Sequence, residues 1–311
     1  MEAWSKVLNL ALLTATLKIA TPLIFAALAA VMSERGGVVN IGIEGTMLLS
    51  CLAAVAGSHF GGPWVGLLLA VVTGGLLGLL HAYLSVSVKV NQIVSATAIN
   101  IAALGFPRLI IPVIWPGHYA DSEPVPALPE LRIPFIADLP VVGPVLGEHN
   151  PLTYLALILV PALSILLFST RFGLRLRAVG EHPRAADTVG VDVARMRYSG
   201  VIISGLLAGL GGAFLTIGKV PQFTVSMVGG RGFMGLAATV FGNWKPVGAL
   251  WACLIFALAD AFQTAAQPAG VLPVPRELLQ SLPYILTLVV LAGLVGKTVA
   301  PAADGKPYEK A

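Results

Sequence analysis

Asn40 and Glu44 lie among Gly36, Gly37, Gly42 and Gly45, between strongly apolar runs. An amide and a carboxylate at membrane depth suit one kind of chemistry. They exchange hydrogen bonds with a polar solute or with another buried group. The glycine density can unwind a helix and leave backbone groups free to line a cavity. The alternative is a structural loop in which Glu44 pairs with Arg35 or another base. Asn91, Gln92, Asn100 and Gln263 are further lining candidates, and each serves at least as well in hydrogen bonds between helices. Asp260 falls inside a later apolar run, with Arg108 or Arg231 as possible partners.

Patterns for catalysis are missing. Gly296-Lys297-Thr298 ends like a phosphate-binding loop. Leu291 stands where that loop's first glycine belongs, and an apolar run precedes it in place of a strand. The five histidines form no HExxH, and Ser204-Gly205 lacks the preceding glycine of a GxSG-type intramembrane protease. Cys51 and Cys253 sit in apolar runs without metal-ligand spacing. No catalytic residue, metal or cofactor is therefore expected.

Residues Gly180–Gly190, GEHPRAADTVG, form the second constellation. Pro183 suits the first turn of a helix, where a backbone N–H has no partner anyway. Arg184–Thr188 can continue that helix, and Gly190 can end it in a left-handed cap. A helix this short must rest on something. Ala185 and Ala186 are expected on its exposed side, where small side chains suit insertion into a groove on another protein. The alternative is an ordinary loop helix.

The elements that position these residues follow from composition. The chain of 311 residues is 57% hydrophobic and 11% charged, against roughly 25% charged for a soluble domain. Apolar segments are expected near 7–32, 46–60, 64–86, 92–115, 151–169, 198–219, 231–243, 246–266 and 282–296. Spanning the hydrocarbon takes about 20 residues, so the shorter ones are candidates for broken or re-entrant pieces. The fold class is thus all-α, a polytopic bundle of eight to ten membrane segments forming one domain over 1–311. Gly74 and Gly78 form one small-residue stripe. Gly205 and Gly209 form another, with Ser204, Ala208 and Gly212 as a second ridge. Such stripes let helices approach closely in lipid. Glu44–Ala70 and Arg231–Ala252 share an order of Gly and Pro turns, and an inverted repeat is expected from it.

Basic residues set the orientation. The 170–197 loop holds Arg171, Arg175, Arg177, Arg184, Arg195 and Arg197, which puts it in the cytoplasm. The 116–150 loop holds Asp121, Glu123, Glu130, Asp138 and Glu148 against Arg132. One helix separates the two, so the acidic loop lies outside. The 297–311 tail then falls inside. Trp4 and Lys6 could anchor an interfacial N-terminal helix, and the side of the N-terminus stays open. The net charge of +4 is a topology signal. It is not a nucleic-acid footprint, because no basic patch with interleaved aromatics occurs.

Three blocks carry a resemblance. They are ERGGVVNIGIEG (Glu34–Gly45), GEHPRAADTVG (Gly180–Gly190) and RGFMGLAATVFGNWKP (Arg231–Pro246). In this order they resemble permease subunits of bacterial ABC importers, in the superfamily for branched-chain amino acids, ribose and nucleosides. The first two blocks are most similar to the nucleoside group. The resemblance implies uptake of a small polar solute, with simple sugars or branched-chain amino acids as alternatives to nucleosides. It implies that the segment holding Asn40 and Glu44 lies beside the path, with Asn91 and Asn100 as lining candidates on their polarity alone. It also implies coupling through Glu181, Pro183, Arg184, Ala185, Ala186 and Asp187. His182 stands where that group usually has Asn and is expected to keep a capping role. The implied partners are a separate ATPase subunit, a second homologous permease, an external substrate-binding lipoprotein and membrane lipid. The reading from another class is a secondary transporter that needs no ATPase.

Overall fold

A computed structural model describes residues 9–140, 142–269 and 298–309, with the single positions 275, 278, 281 and 285. The long helices are α1 (Leu10–Glu34), α2 (Ile43–Gly61), α3 (Pro63–Ala82), α4 (Gln92–Ile114) and α5 (Pro151–Ser169). Two short helices follow, α6 (Arg171–Glu181) and α7 (Pro183–Thr188). The series ends with α8 (Val193–Leu215), α9 (Arg231–Phe241) and α10 (Pro246–Ala269). Seven of these helices are long and apolar enough to cross a membrane among the described residues. The short α9 matches the start of the expected 231–243 segment, while the interfacial N-terminal helix and nearly all of 282–296 lie outside the described residues.

Burial explains why α1 reads as apolar on every side. Leu23–Met32 are each at most 1% exposed, so no polar face is needed. The helix packs against α8, α9 and α10. In turn α8 packs against α2 and α3. The expected glycine stripes turn out to face each other. A Cβ on Gly74 would overlap the Gly205 carbonyl, and one on Gly78 would overlap the Val201 carbonyl. Gly212, on the other ridge of α8, meets Met47, Ser50 and Cys51 of α2.

The two hairpins also close alike. Gly57 of α2 crosses Gly66 of α3 without room for a side chain, as Gly242 does against Gly248 and Ala249 at the α9–α10 turn. Cys51 Sγ donates to the Gly212 carbonyl (3.2 Å) on α8, and Thr239 Oγ1 donates to the Ala27 carbonyl (3.0 Å) on α1. Each hairpin therefore hangs on a long helix from the other half of the chain.

The loops sort onto two faces. The 116–150 loop carries a two-residue antiparallel ladder, Leu131–Arg132 with Glu148–His149. Its first part is stitched to the loop after α8: Val125 N–H donates to Pro221 O (2.8 Å) and Leu128 N–H to Ile217 O (2.8 Å). Lys18 pairs with Glu130 at 3.3 Å, and Thr14 Oγ1 donates to Pro144 O. The start of α1 thus lies on the face of the acidic loop. The end of α1, the α9–α10 turn, α6, α7 and the tail occupy the opposite face.

Candidate functional site

The first candidate site is the crossing of two helix starts. Chain 35–42 leaves α1 as non-helical backbone, and its polar groups are met by side chains from three helices. Val39 N–H donates to Gln92 Oε1 (2.8 Å), and His81 Nε2 meets Val39 O at 3.0 Å. Asn100 accepts from Gly45 N–H (2.8 Å) and donates to Ile41 O (3.1 Å). Asn40 Nδ2 donates to Ser204 Oγ (3.2 Å). Irregular backbone inside a bundle needs such partners, because lipid supplies none.

Glu44 stands at the first turn of α2 and reaches across to α9. Its carboxylate accepts from Gly230 N–H (2.8 Å) and Gly232 N–H (2.7 Å). These are orphan donors of a helix N-terminus, where a negative charge is also favoured by the helix dipole. Gly229 and Gly230 have φ of 58° and 82°, a left-handed approach open to glycine. With 11 residues, α9 covers about 16 Å, or half the hydrocarbon thickness of roughly 30 Å. It runs from this crossing to the α9–α10 turn.

The four expected path residues are therefore not one cluster. Glu44 is half-buried and caps α9. Asn40 is 3% exposed and bridges to α8. Asn100 braces the broken segment. Asn91 lies at the end of the bundle, where its side chain caps α4 by accepting from Ile93 N–H and Val94 N–H. The expected Glu44–Arg35 pair does not form. Arg35 turns to the other face, donating from Nε to Trp244 O (2.8 Å) and lying 3.9 Å from Glu181. Asp260 pairs with neither expected arginine among the described residues, and its charge acts on Lys219. Gln92, also expected as a lining residue, instead holds the broken backbone at Val39. His81 escaped the sequence reading, since a lone polar residue near a helix end gives no signal of what it will meet.

The second candidate site is the face holding α7. Pro183–Thr188 is helical as expected, and Gly190 has φ 85°. Two details differ from expectation. Ala186 is buried at 3% exposure, packed with Val179 and Val193, because it is the side that seats the helix. Ala185 and Arg184 face outward. His182 holds the cap position, but its side chain makes no cap hydrogen bond. Asp187 Oδ2 accepts from Tyr308 OH (3.0 Å), and Glu181 Oε2 accepts from Ala302 N–H (3.1 Å). Of the expected coupling residues, Arg184 and Ala185 are the exposed pair, while Glu181 and Asp187 are occupied by the tail.

The turn that ends α9 belongs to this face. Asn243 and Trp244 have left-handed φ of 53° and 52°, an uncommon state for residues with a side chain. They are clamped: Trp244 Nε1 donates to Glu34, Asn243 Oδ1 accepts from Val299 N–H, and Arg35 donates to both of their carbonyls. No cluster of His, Cys, Asp or Glu that could hold a metal occurs among the described residues.

Comparison with known proteins adds to this geometry. The family model described as "Branched-chain amino acid transport system / permease component" matches residues 12–291. The chain is 42% identical to the guanosine ABC transporter permease protein NupQ of Bacillus subtilis (strain 168), over 95% of each chain. It is 38% identical to the nucleoside ABC transporter permease protein NupC of Lactococcus lactis subsp. cremoris (strain MG1363), over 93% of this chain and 94% of that one. It is 33% identical to the putative glucose ABC transporter permease protein TsgC13 of Haloferax volcanii, over 92% of each. No solved structure matches the chain.

Proposed function

The chain belongs to the branched-chain amino acid transport system / permease component family, and on that premise we propose that it is the membrane-spanning permease of an ABC importer for nucleosides. It is a multi-pass protein of the bacterial cytoplasmic membrane, and not an enzyme. The observation that carries the choice of solute is the full-length likeness to guanosine and nucleoside permeases.

The geometry supports a way of working. ATP-driven closure of a separate ATPase subunit pushes on the exposed side of α7, at Arg184 and Ala185. The push passes through Glu181 and Arg35 to the α9–α10 turn, and along α9 to its start at Glu44. The crossing of α2 and α9 is thus the element that opens to one side or the other. An external substrate-binding protein lands on the loop at 116–150. A second, homologous permease completes the path along α4. Arg108 is exposed on that helix beside Leu104 and Leu109, and a guanidinium does not face hydrocarbon without a partner or water.

Uptake of labelled guanosine by cells expressing the chain with its ATPase, second permease and binding protein tests the reading. Unlabelled adenosine, glucose and leucine serve as competitors. Competition by nucleosides alone is expected. Competition by glucose and not by nucleosides would replace the solute with a sugar, the reading favoured by the likeness to TsgC13.

A further inference from the structure

Tail residues 299–309 fold back against α7. We infer that this segment forms the second half of the surface on which the ATPase subunit docks, and that the cleft between the tail and α7 takes an acidic segment of that subunit. The inference rests on the permease reading above and goes beyond it.

First, the tail is built into the fold. Ala303 N–H donates to Gly180 O (2.9 Å), and Ala303 is buried. Arg197 is 1% exposed, and its Nη1 donates to Lys306 O (2.9 Å). Arg197 Nε and Nη2 find no acceptor among the described residues. A buried guanidinium is costly unless hydrogen-bonded, so the tail carbonyl is an acceptor that the bundle needs. Tyr308 adds its bond to Asp187 and packs on the cluster under Ala186.

Second, the seated tail leaves an open cleft of ≈720 Å³, lined among others by Pro183, Arg184, Ala185, Lys306 and Pro307. Third, the free charge in it is basic. Glu181 is engaged by Arg35 and Ala302 N–H, and Glu309 pairs with Lys89 at 3.4 Å. Arg184 enters no ion pair among the described residues, and Lys306 Nζ donates only to the Ala302 carbonyl there. Both are exposed. A partner carboxylate therefore finds two cations and little competition, and such complementarity fixes where a partner seats.

The test is co-purification in detergent of the ATPase subunit of the same transporter with the tagged full-length chain. Lys306→Glu and Arg184→Glu should each lower the ATPase recovered by about tenfold or more, in line with charge pairs at interfaces. The amount of chain in the membrane should be unchanged, as with Arg132→Glu on the opposite face. A photo-crosslinking residue at Pro307 should capture the ATPase subunit. If Ala185→Trp abolishes recovery while Lys306→Glu retains it, and Pro307 captures only lipid, the tail is not part of the docking surface and the permease reading stands. If the unaltered chain recovers no ATPase subunit, the permease reading fails with it.

Discussion

Glu44 Oε2 accepts a 2.7 Å hydrogen bond from Gly232 N–H, a residue 188 positions further along the chain. The bond joins the first turn of one short-loop hairpin to the first turn of the other. Cys51 and Thr239 stand at the same separation, and each bonds to the long helix of the opposite half. A crossing held by one carboxylate and two amide donors can part without breaking a core, because few groups are involved.

That relationship gives the first prediction. Glu44→Ala leaves the N–H groups of Gly230 and Gly232 without their acceptor, at about 1–3 kcal/mol for each buried donor. The thermal midpoint in detergent and nucleoside uptake should fall together. Glu44→Gln, which keeps one acceptor oxygen, should lie between. Loss of uptake by Glu44→Ala at an unchanged midpoint would instead assign the carboxylate to the solute.

Helix contact gives the second. Gly74→Ala and Gly205→Ala each drive a methyl group into backbone of the facing helix. Overpacking of this kind costs about 1–3 kcal/mol, so both variants should accumulate poorly and melt early. Gly105→Ala, where a Cβ meets nothing within 4 Å, should melt like the unaltered chain. Equal behaviour of all three in a melting series would count against the close α3–α8 contact.

Asp304 gives a pH dependence. Burial pushes its carboxyl up to about 7 from an ordinary 3.8, against the opposing pull of the Gly305 N–H and Arg197. A carboxyl whose pKa is raised by folding favours the folded arrangement while protonated. That contribution is full below about pH 4 and is lost as pH rises through 7. Tail amides near Ala303 should therefore exchange faster at pH 8 than at pH 6, after correction for intrinsic rates. Asp304→Asn should remove the difference. A pH-independent tail in the unaltered chain would contradict this.

Orientation gives the fourth. In a chain with Cys51 and Cys253 replaced by Ala, Glu123→Cys should react with a membrane-impermeant thiol reagent added to sealed cells. Arg195→Cys should react only after the membrane is opened. Both positions are exposed, with side chains 60% and 84% accessible. Labelling of Arg195→Cys from outside would reverse the topology and remove α7 from the reach of any cytoplasmic ATPase.

The sequence by itself determined the membrane class, most helix positions and the sorting of loops, because each depends on local composition. Apolar length fixes a span, and runs of one charge sort the loops that join spans. Proline and glycine fixed α7 almost to the residue, since Pro183 and Gly190 constrain the backbone where they stand. What lay beyond reach was every partner choice. Both glycine stripes were legible, but that Gly74 faces Gly205 depends on how two distant helices cross. Glu44 and Arg35 are near in sequence with opposite charge, yet the helix break between them sends Arg35 to Trp244 and Glu181, and Glu44 to Gly230 and Gly232. Ala185 and Ala186 look alike in sequence, and only the seat made by Val179, Val193 and Tyr308 decides which one is buried. Hydrogen-bond donors at a helix start are satisfied by whatever the tertiary fold brings near, so only the assembled bundle could assign them.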